Sequence, residues 1–285
     1  MKKLLLSLMG VAGIFPACAQ LPLFSCSLDK ATAVDTALYK VTYRLDYTCH
    51  SKADTRFDDV RTLLIGRRAV KDRSEILFHY DSLMTADMHR GAEAFSNPKG
   101  NPWPYDIMVS PKERVAEMKY RLPSGMDILS YSERVPEIQW NFAADATVVV
   151  LGYECQLATA DFAGRHYSAW FAPELPLPYG PYKFGGLPGL ILRIQDDAGQ
   201  FVWEAEGFEK SSDPIYRYDY ESEKACTAIE AAKTIARCFN SPIAFQLAAI
   251  GGGKGRIYIV GKDGRTRDAT EEEETPVPYE PIEML

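Results

Sequence analysis

The sequence predicts a mainly β protein: one strongly curved antiparallel sheet, an open half-barrel, with one or two helices packed on it. Three observations predict this class. About ten segments have the pattern of strands, and only two stretches have helical spacing. The strands follow one another through short turns, as in an antiparallel meander. The chain has no internal repeat of the kind that builds propellers or solenoids. A complete up-and-down barrel is the alternative architecture.

Residues 1–19 have the composition of a cleavable export signal. Two lysines precede the uncharged apolar stretch Leu4–Phe15, which is too short to cross a membrane as a helix. Small residues follow, so cleavage is expected after Ala19, with Gln20 as the new N-terminus and a periplasmic or extracellular location. A lipoprotein signal, with Cys18 acylated instead of removed, is the alternative. No later stretch has the length and apolarity of a transmembrane helix.

The mature chain is predicted to be one β-rich domain over residues 20–267, followed by a disordered acidic tail over residues 268–285. The whole chain has a formal net charge of −7, and the tail contains seven acidic residues and no basic ones. The tail is also rich in proline and lacks a core-forming pattern, which is typical of disorder. Because the charge is concentrated there and no basic stripe exists, nucleic acid is excluded as a partner.

The first part of the domain is predicted to be a meander followed by a helix. Ala37–Thr48 alternates between apolar and polar residues and predicts a long first strand. Val60–Arg67 and Glu75–Tyr80 are predicted to be the next two strands, joined by a charged turn over Arg68–Ser74. Apolar residues at helical spacing then predict a helix over Asp81–Phe95.

The middle and the end of the domain add further strands and a second helix. The predicted strands are Val115–Leu122, Met126–Glu133, Glu137–Phe142, Cys155–Phe162, Arg165–Phe171, Leu190–Ile194, Phe201–Phe208 and Arg256–Val260, and Ala146–Leu151 is a short apolar run. Glu221–Phe239 is rich in alanine and charged residues and predicts the best helix in the chain. Its predicted apolar stripe consists of Cys226, Ile229, Ala232, Ile235 and Ala236.

The block Gly180–Gly189 is the most unusual stretch of the chain. It combines four glycines with two prolines, so its backbone is expected to be bent or closely approached by other atoms. Gly186–Ile191 spells Gly-Leu-Pro-Gly-Leu-Ile and resembles the signature of the GLPGLI family of secreted bacterial proteins. The resemblance is dense over about residues 140–210. It implies a family without an established activity, and the family's strand order is similar to that of periplasmic lipoprotein carriers.

This block has two interpretations. In the functional one, aromatic and apolar side chains form the mouth of a binding pocket; these candidate binding residues are Trp170, Tyr182, Phe184, Leu187 and Pro188. In the structural one, the block is a folding corner whose glycines and proline fix the backbone. The composition favours the structural interpretation, because the block is poor in groups that transfer protons.

No catalytic residue, metal site or cofactor is predicted. The four histidines and the cysteines lack the close spacing of zinc ligands, and the elbow motif of serine hydrolases is absent. Five cysteines remain after cleavage, an odd number that leaves at least one thiol unpaired. The weak catalytic candidates are Glu174, which lies among prolines, and the pair Cys155 and His166.

These features together predict an exported, non-enzymatic protein that binds a ligand or assists envelope assembly. An apolar small molecule, a lipid or a peptide would lie on the curved sheet, and an envelope protein is the other expected partner. The alternative is a hydrolase, or a hydrolase accessory, that acts on surface peptides or glycans. A polar cleft that gathers Glu174, His166 and another acid would favour the enzyme.

Overall fold

The computed structural model describes residues 23–92, 94–123, 127–249, 258–260, 266–268 and 276–284. Within them the chain forms fifteen strands and three helices. The strands are β1 (Ala31–Tyr47), β2 (Phe57–Gly66), β3 (Val70–Ser74), β4 (Tyr105–Ser110), β5 (Val115–Arg121), β6 (Ile128–Arg134), β7 (Asn141–Val150), β8 (Tyr153–Phe162), β9 (Arg165–Ala172), β10 (Leu190–Asp196), β11 (Phe201–Lys210), β12 (Pro214–Tyr218), β13 (Glu223–Ala225), β14 (Tyr258–Val260) and β15 (Thr266–Asp268). The helices are α1 (Glu75–His89), α2 (Ala228–Asn240) and α3 (Pro242–Ala249).

Thirteen of the strands form one open sheet, which confirms the predicted mainly β class. The strand order is β13-β6-β5-β4-β3-β2-β1-β11-β10-β9-β8-β7, and β12 pairs with the first part of β1. The pairs are antiparallel except for β13 with β6, which is parallel. Because β13 and β7 lie at opposite edges and do not pair with each other, the sheet is not a closed barrel.

Alternation along β1 shows which face of the sheet is buried. Val41, Tyr43, Leu45 and Tyr47 point into the main hydrophobic core, and the intervening polar side chains point away from it. Strand side chains alternate between the two faces of a sheet, so the main core lies on one face, and a smaller buried cluster that includes Leu64, Met108 and Ile215 lies apart from it. The predicted first strand is therefore confirmed, and it extends further towards the N-terminus.

The sheet curves around this core. Trp103, two residues before β4, contacts Trp203 of β11 with their ring centroids 5.8 Å apart. Three strands separate β4 from β11, which would place the two strands roughly 19 Å apart in a flat sheet at the usual spacing. Contact across that span follows from curvature, and the aromatic side chains fill the concave side.

The predicted turn over Arg68–Ser74 and the predicted strand over Glu75–Tyr80 were both wrong. Val70–Ser74 is strand β3 instead of a charged turn, and α1 begins at Glu75 instead of Asp81. Lys71 and Asp72 of β3 are buried and have partners: the Lys71 ammonium lies 3.3 Å from an Asp106 carboxylate oxygen, and Asp72 accepts a hydrogen bond from Arg61. Ser74 then caps the helix, its side chain accepting a hydrogen bond from the amide of Leu77 at 3.2 Å.

The predicted strand Glu137–Phe142 has the wrong bounds. Asn141–Val150 forms the single strand β7, which also includes most of the apolar run Ala146–Leu151. The pairing register of β7 with β8 shifts between Ala143 and Thr147. This bulge interrupts the alternation without ending the strand, which is why the pattern suggested two segments.

The best predicted helix exists but starts seven residues later than expected. Thr227 is the N-cap of α2 and forms a capping box with Glu230, which fixes the start at Ala228. The predicted apolar stripe was wrong except at Ile235: Ile229, Ala232 and Ala236 are exposed, and Cys226 precedes the helix. The buried residues of the helix are Ala231, Ile235, Cys238 and Phe239.

The end of the chain differs from the disordered tail that its composition predicts. Residues 276–284, which we call the strap, pack against the body, and Val277 and Ile282 are buried. Order in this segment comes from partners on the body, which composition does not reveal. The predicted export signal and part of the predicted strand Arg256–Val260 lie outside the described residues. Among the described helices, none has the length and apolarity needed to cross a membrane.

Candidate functional site

Gly180–Gly189, which we call the corner, connects the irregular segment after β9 to β10. Its ends are held by backbone hydrogen bonds instead of a regular ladder. The amide of Gly186 donates to the carbonyl of Pro178 at 3.1 Å, and the amide of Ile191 donates to that of Tyr179 at 3.0 Å. These bonds close the corner on itself, so its shape is set by its own backbone.

Two glycines are required by the backbone of the corner, for different reasons. Gly186 has φ of +84°, a left-handed conformation that side chains disfavour. Gly189 packs so closely on the preceding strand that a Cβ there would lie 2.2 Å from the carbonyl oxygen of Ala172. Both observations agree with the structural interpretation of the block.

Three of the five predicted binding residues pack together in the core. Tyr182, Phe184 and Leu187 are each almost fully buried. The ring of Phe184 lies 5.8 Å from that of Trp203, and the ring of Tyr182 lies 5.5 Å from that of Trp103. The corner therefore inserts its apolar side chains into the concave side of the sheet and closes it.

The other two predicted binding residues lie elsewhere. Pro188 is exposed on the corner. Trp170 lies on the outer face of β9, where the guanidinium of Arg193 lies 5.1 Å from its ring centroid. The structure thus brings Tyr182, Phe184 and Leu187 together and separates Trp170 from them.

A fully buried ion network anchors the corner to the sheet. Asp72 accepts a hydrogen bond from the amide of Tyr182 at 2.6 Å and another from Nε of Arg61 at 2.8 Å. Arg61 also donates to the carbonyl of Tyr105 at 2.9 Å. Asp59 lies on the other side of the guanidinium, and burial raises the pKa of Asp59 to about 6. These contacts join β2, β3, β4 and the corner in one cluster.

Sequence reasoning missed this network, although a signal existed. Asp59 and Arg61 occupy the same phase of β2 as Leu63 and Ile65, which point into the core. Charged residues at inward positions are costly to bury unless they are paired. Their phase therefore pointed to a buried pair.

A second buried charge belongs to the corner itself. Lys183 is 5% exposed, and its ammonium contacts the carboxylates of both Glu133 on β6 and Glu283 on the strap. The ion pairs offset the cost of burying the ammonium. Lys183 thus connects the corner to the sheet on one side and to the strap on the other.

A cleft of about 370 Å³ opens between the corner, the β4–β5 turn and the segment that joins β6 to β7. Most of its lining is apolar: Pro111, Val135, Ile138, Pro178, Tyr179 and the corner backbone. Its rim carries the exposed ion pair of Arg114 with Glu137, whose charged atoms are 3.6 Å apart. The cleft thus has a largely apolar floor with both signs of charge at its edge.

The weak catalytic candidates are not gathered in one cleft. Glu174 is exposed in the turn after β9. His166 lies on the outer face of β9, where a hydrogen bond of 2.8 Å to Asp161 raises the pKa of the imidazole. Cys155 is buried on the inner face of β8, and burial raises the pKa of its thiol to about 11.

The described residues contain no cluster of three or more His, Cys, Asp or Glu side chains arranged to hold a metal ion. The free thiols among them are Cys26, Cys155, Cys226 and Cys238. A neutral, buried thiol is a poor nucleophile.

Comparison with known proteins gives one family match. Residues 163–193 match the family described as "Protein of unknown function (Porph_ging)". The match includes β9, the corner and most of β10, and it links this stretch to a family of unknown function. The GLPGLI name suggested by the motif is not confirmed. No curated protein matches the chain.

Solved structures align with parts of the chain at low sequence identity. PNGF-II in two crystal forms aligns with TM-scores of 0.44 and 0.43 at 16% identity, over 71% of this chain and 33% of PNGF-II. The chain thus spans about a third of that protein. A Vibrio parahaemolyticus domain named for outer membrane lipoprotein sorting aligns with a TM-score of 0.26 at 9% identity, over 60% of this chain and 84% of the domain.

Proposed function

We propose that the protein is an exported, non-enzymatic binding module whose cleft beside the corner binds an apolar segment of an extended peptide. The observation that carries the proposal is the 370 Å³ cleft, one wall of which is the corner. That volume lies within the range of about 300–1,000 Å³ that is usual for ligand sites. The composition of residues 1–19 supports export.

The walls of the cleft are suited to binding a ligand without a chemical reaction. The glycine backbone and the buried network of Asp72 and Arg61 hold the corner in place before a ligand arrives. A preformed wall reduces the conformational entropy that the protein loses when a ligand binds. Proline and aliphatic side chains supply the apolar contact, and the charges of Arg114 and Glu137 at the rim can contact the polar backbone of a peptide.

The position of the site differs from the one the sequence suggested. A ligand was expected on the concave face of the sheet, but aromatic side chains of the protein fill that face, among them Trp103, Tyr182 and Trp203. The cleft lies instead at the rim, where the corner meets the turns. The proposal therefore assigns Tyr182, Phe184 and Leu187 to support the wall, and Ile138 and Tyr179 to contact the ligand.

Substitution of Ile138, which is half-buried in the cleft, tests this site. Ile138→Asp places a charge on the apolar floor and is expected to weaken peptide binding by about tenfold or more. Binding would be measured on an array of extended ten-residue peptides rich in proline and aliphatic residues, with a fluorescent fatty acid as the lipid probe. The matched control is Leu83→Asp on α1, a position that is 39% exposed and lies outside the cleft.

The outcomes separate the candidate ligands. Peptide binding that is lost in Ile138→Asp and kept in Leu83→Asp supports the proposal. Equal binding by both variants, or no peptide above background, refutes it. Binding of the fatty acid that responds to Ile138→Asp, in the absence of peptide binding, would assign the cleft to a lipid.

A further inference from the structure

The strap is held in the way that proteins hold extended peptide ligands. Its backbone, more than its side chains, makes the polar contacts. The amides of Val277, Glu280 and Met284 donate to carbonyl oxygens of the body at 2.7–2.9 Å. These acceptors come from three separate elements: Phe239 on α2, Cys49 after β1, and Ala163 in the β8–β9 turn.

Arg165 also binds the strap, but here the body supplies the donor: Arg165 donates hydrogen bonds to carbonyl oxygens of the strap. Nε of Arg165 donates to Ile282 at 3.0 Å, and Nη2 donates to Pro281 at 2.6 Å. Nη1 donates to the buried carboxylate of Asp196 at 2.9 Å, which fixes the guanidinium. Two of the guanidinium nitrogens would lose these partners if no backbone occupied this position.

Side chains of the strap pack against the main hydrophobic core near this clamp. The ring of Tyr279 stacks on Phe239 with centroids 4.2 Å apart and an interplanar angle of 5°. Val277 and Ile282 are buried, and Glu283 pairs with Lys183 of the corner. The prolines at 276, 278 and 281 fix φ and keep the segment extended, so little backbone entropy is lost on docking.

The site of the strap is open to solvent on one side. A pocket of about 190 Å³ lies between Tyr279, Ile282 and the small residues Ala232 and Ala236 of α2, both of which are exposed. An open pocket beside a docked segment is expected for a ligand in a groove.

Gln200 also faces the strap, because its Nε2 donates to the carbonyl of Glu280 at 3.3 Å. We infer that the groove formed by Arg165, Gln200, Phe239 and the end of β1 is a peptide-binding site. Its ligand class is an extended, proline-containing segment with one aromatic anchor, two aliphatic anchors and a glutamate after the second of them, and the strap is the copy that the chain itself supplies. This site is separate from the cleft proposed above, which lies on the other side of Tyr182 and contains no strap residue.

The test uses the full chain with a site-specific protease sequence inserted within residues 269–275. After cleavage, native mass spectrometry is expected to find the C-terminal fragment still bound to the body. On dilution the fragment should leave, and a fluorescein-labelled peptide of residues 276–285 should replace it, as measured by anisotropy. Circular dichroism of the cleaved, diluted protein reports whether the body remains folded.

Matched peptides test the assigned contacts. A peptide with Ile282→Ala is expected to bind at least about tenfold more weakly, because it loses a buried anchor. A peptide with Met284→Ala should bind within about twofold of the parent, since that side chain is 49% exposed. A folded body that takes up no peptide, or takes up the two variant peptides equally well, overturns the inference. A body that unfolds after cleavage also overturns it, because the strap would then be an integral part of the fold.

Discussion

The corner and the strap are both irregular, proline-containing segments that pack near the same aromatic core, yet their sequences encode order differently. The corner is held between two strands, and its glycines allow the close approach that Gly189 makes to Ala172. The strap has no such internal device. Its order depends on donors and acceptors of the body, such as Arg165 and Phe239. Local sequence therefore specifies the corner, and distant residues specify the strap.

This difference predicts that disruption of the corner and release of the strap affect the free energy of unfolding differently. The corner closes the concave side of the sheet and is tied to a fully buried ion network, so its disruption should reach the global fold. The strap is an irregular segment outside the sheet, and release of such a segment is a local opening with a lower free energy than global unfolding. The three predictions below test the corner side of this comparison, from the largest expected effect to the smallest.

The largest effect is expected for Gly189→Ala. The added Cβ would lie 2.2 Å from the carbonyl oxygen of Ala172, which is backbone and cannot rotate away. We expect a loss of about 3 kcal/mol or more in the free energy of unfolding, measured by denaturant titration. Cleavage of the strap, by contrast, should leave most of that free energy in place.

Gly186→Ala is the matched control for this prediction. Gly186 has a positive φ but open space around its Cβ direction, so only the conformational cost applies. That cost is about 1 kcal/mol. Equal losses for the two alanine variants would show that close packing at Gly189 is not what shapes the corner.

The sequence predicts strands well where one face of the sheet is apolar and the other is polar. Val41, Tyr43 and Leu45 show this alternation, and β1 is confirmed. The alternation does not predict β3, because Lys71 and Asp72 are charged residues that are nevertheless buried. Their partners lie on other strands, and a single sequence does not show which charges will meet.

The candidate site could be predicted only in part for a similar reason. The glycines and prolines of the corner predict a backbone that is bent or closely approached by other atoms, and the structure agrees at Gly186 and Gly189. The cleft wall at Ile138 had no signal, since it depends on how the β6–β7 connection packs. The strap was assigned to disorder because its own composition lacks the apolar periodicity on which such predictions depend.

The second prediction concerns the charge network that anchors the corner. Burial raises the pKa of Asp59 to about 6 from an ordinary value of 3.8. Between these values the unfolded chain has lost the proton and the folded chain has kept it. Folding then takes up a proton, so this group makes the protein less stable as pH rises from about 4 to about 6. The change is on the order of 2 kcal/mol.

Asp59→Asn removes the titrating group and supplies the comparison. The variant should be less stable at every pH because it loses a carboxylate that accepts from Ser74 and Arg61. The stability gap between parent and variant is expected to narrow between pH 4.5 and pH 7, as measured by urea titration at each pH. A gap that widens with pH would mean that the folded pKa of Asp59 is low and that Arg61 outweighs burial.

The smallest effect is expected from a pair of tyrosines beside the corner. The buried hydroxyl of Tyr43 donates to the carbonyl of Ile191 at 2.7 Å, where a register shift takes β10 out of its regular pairing with β9. Tyr43→Phe leaves that carbonyl without this donor, and the expected cost is about 1–2 kcal/mol.

Tyr167 packs its ring 4.7 Å from that of Phe184, but its buried hydroxyl has no hydrogen-bond partner among the described residues. Tyr167→Phe removes an unsatisfied group and should leave the melting temperature unchanged or raise it slightly. If the two variants melt together below the parent, ring packing and not the bond to Ile191 accounts for the loss, and the corner would be held to β1 by its apolar contacts alone.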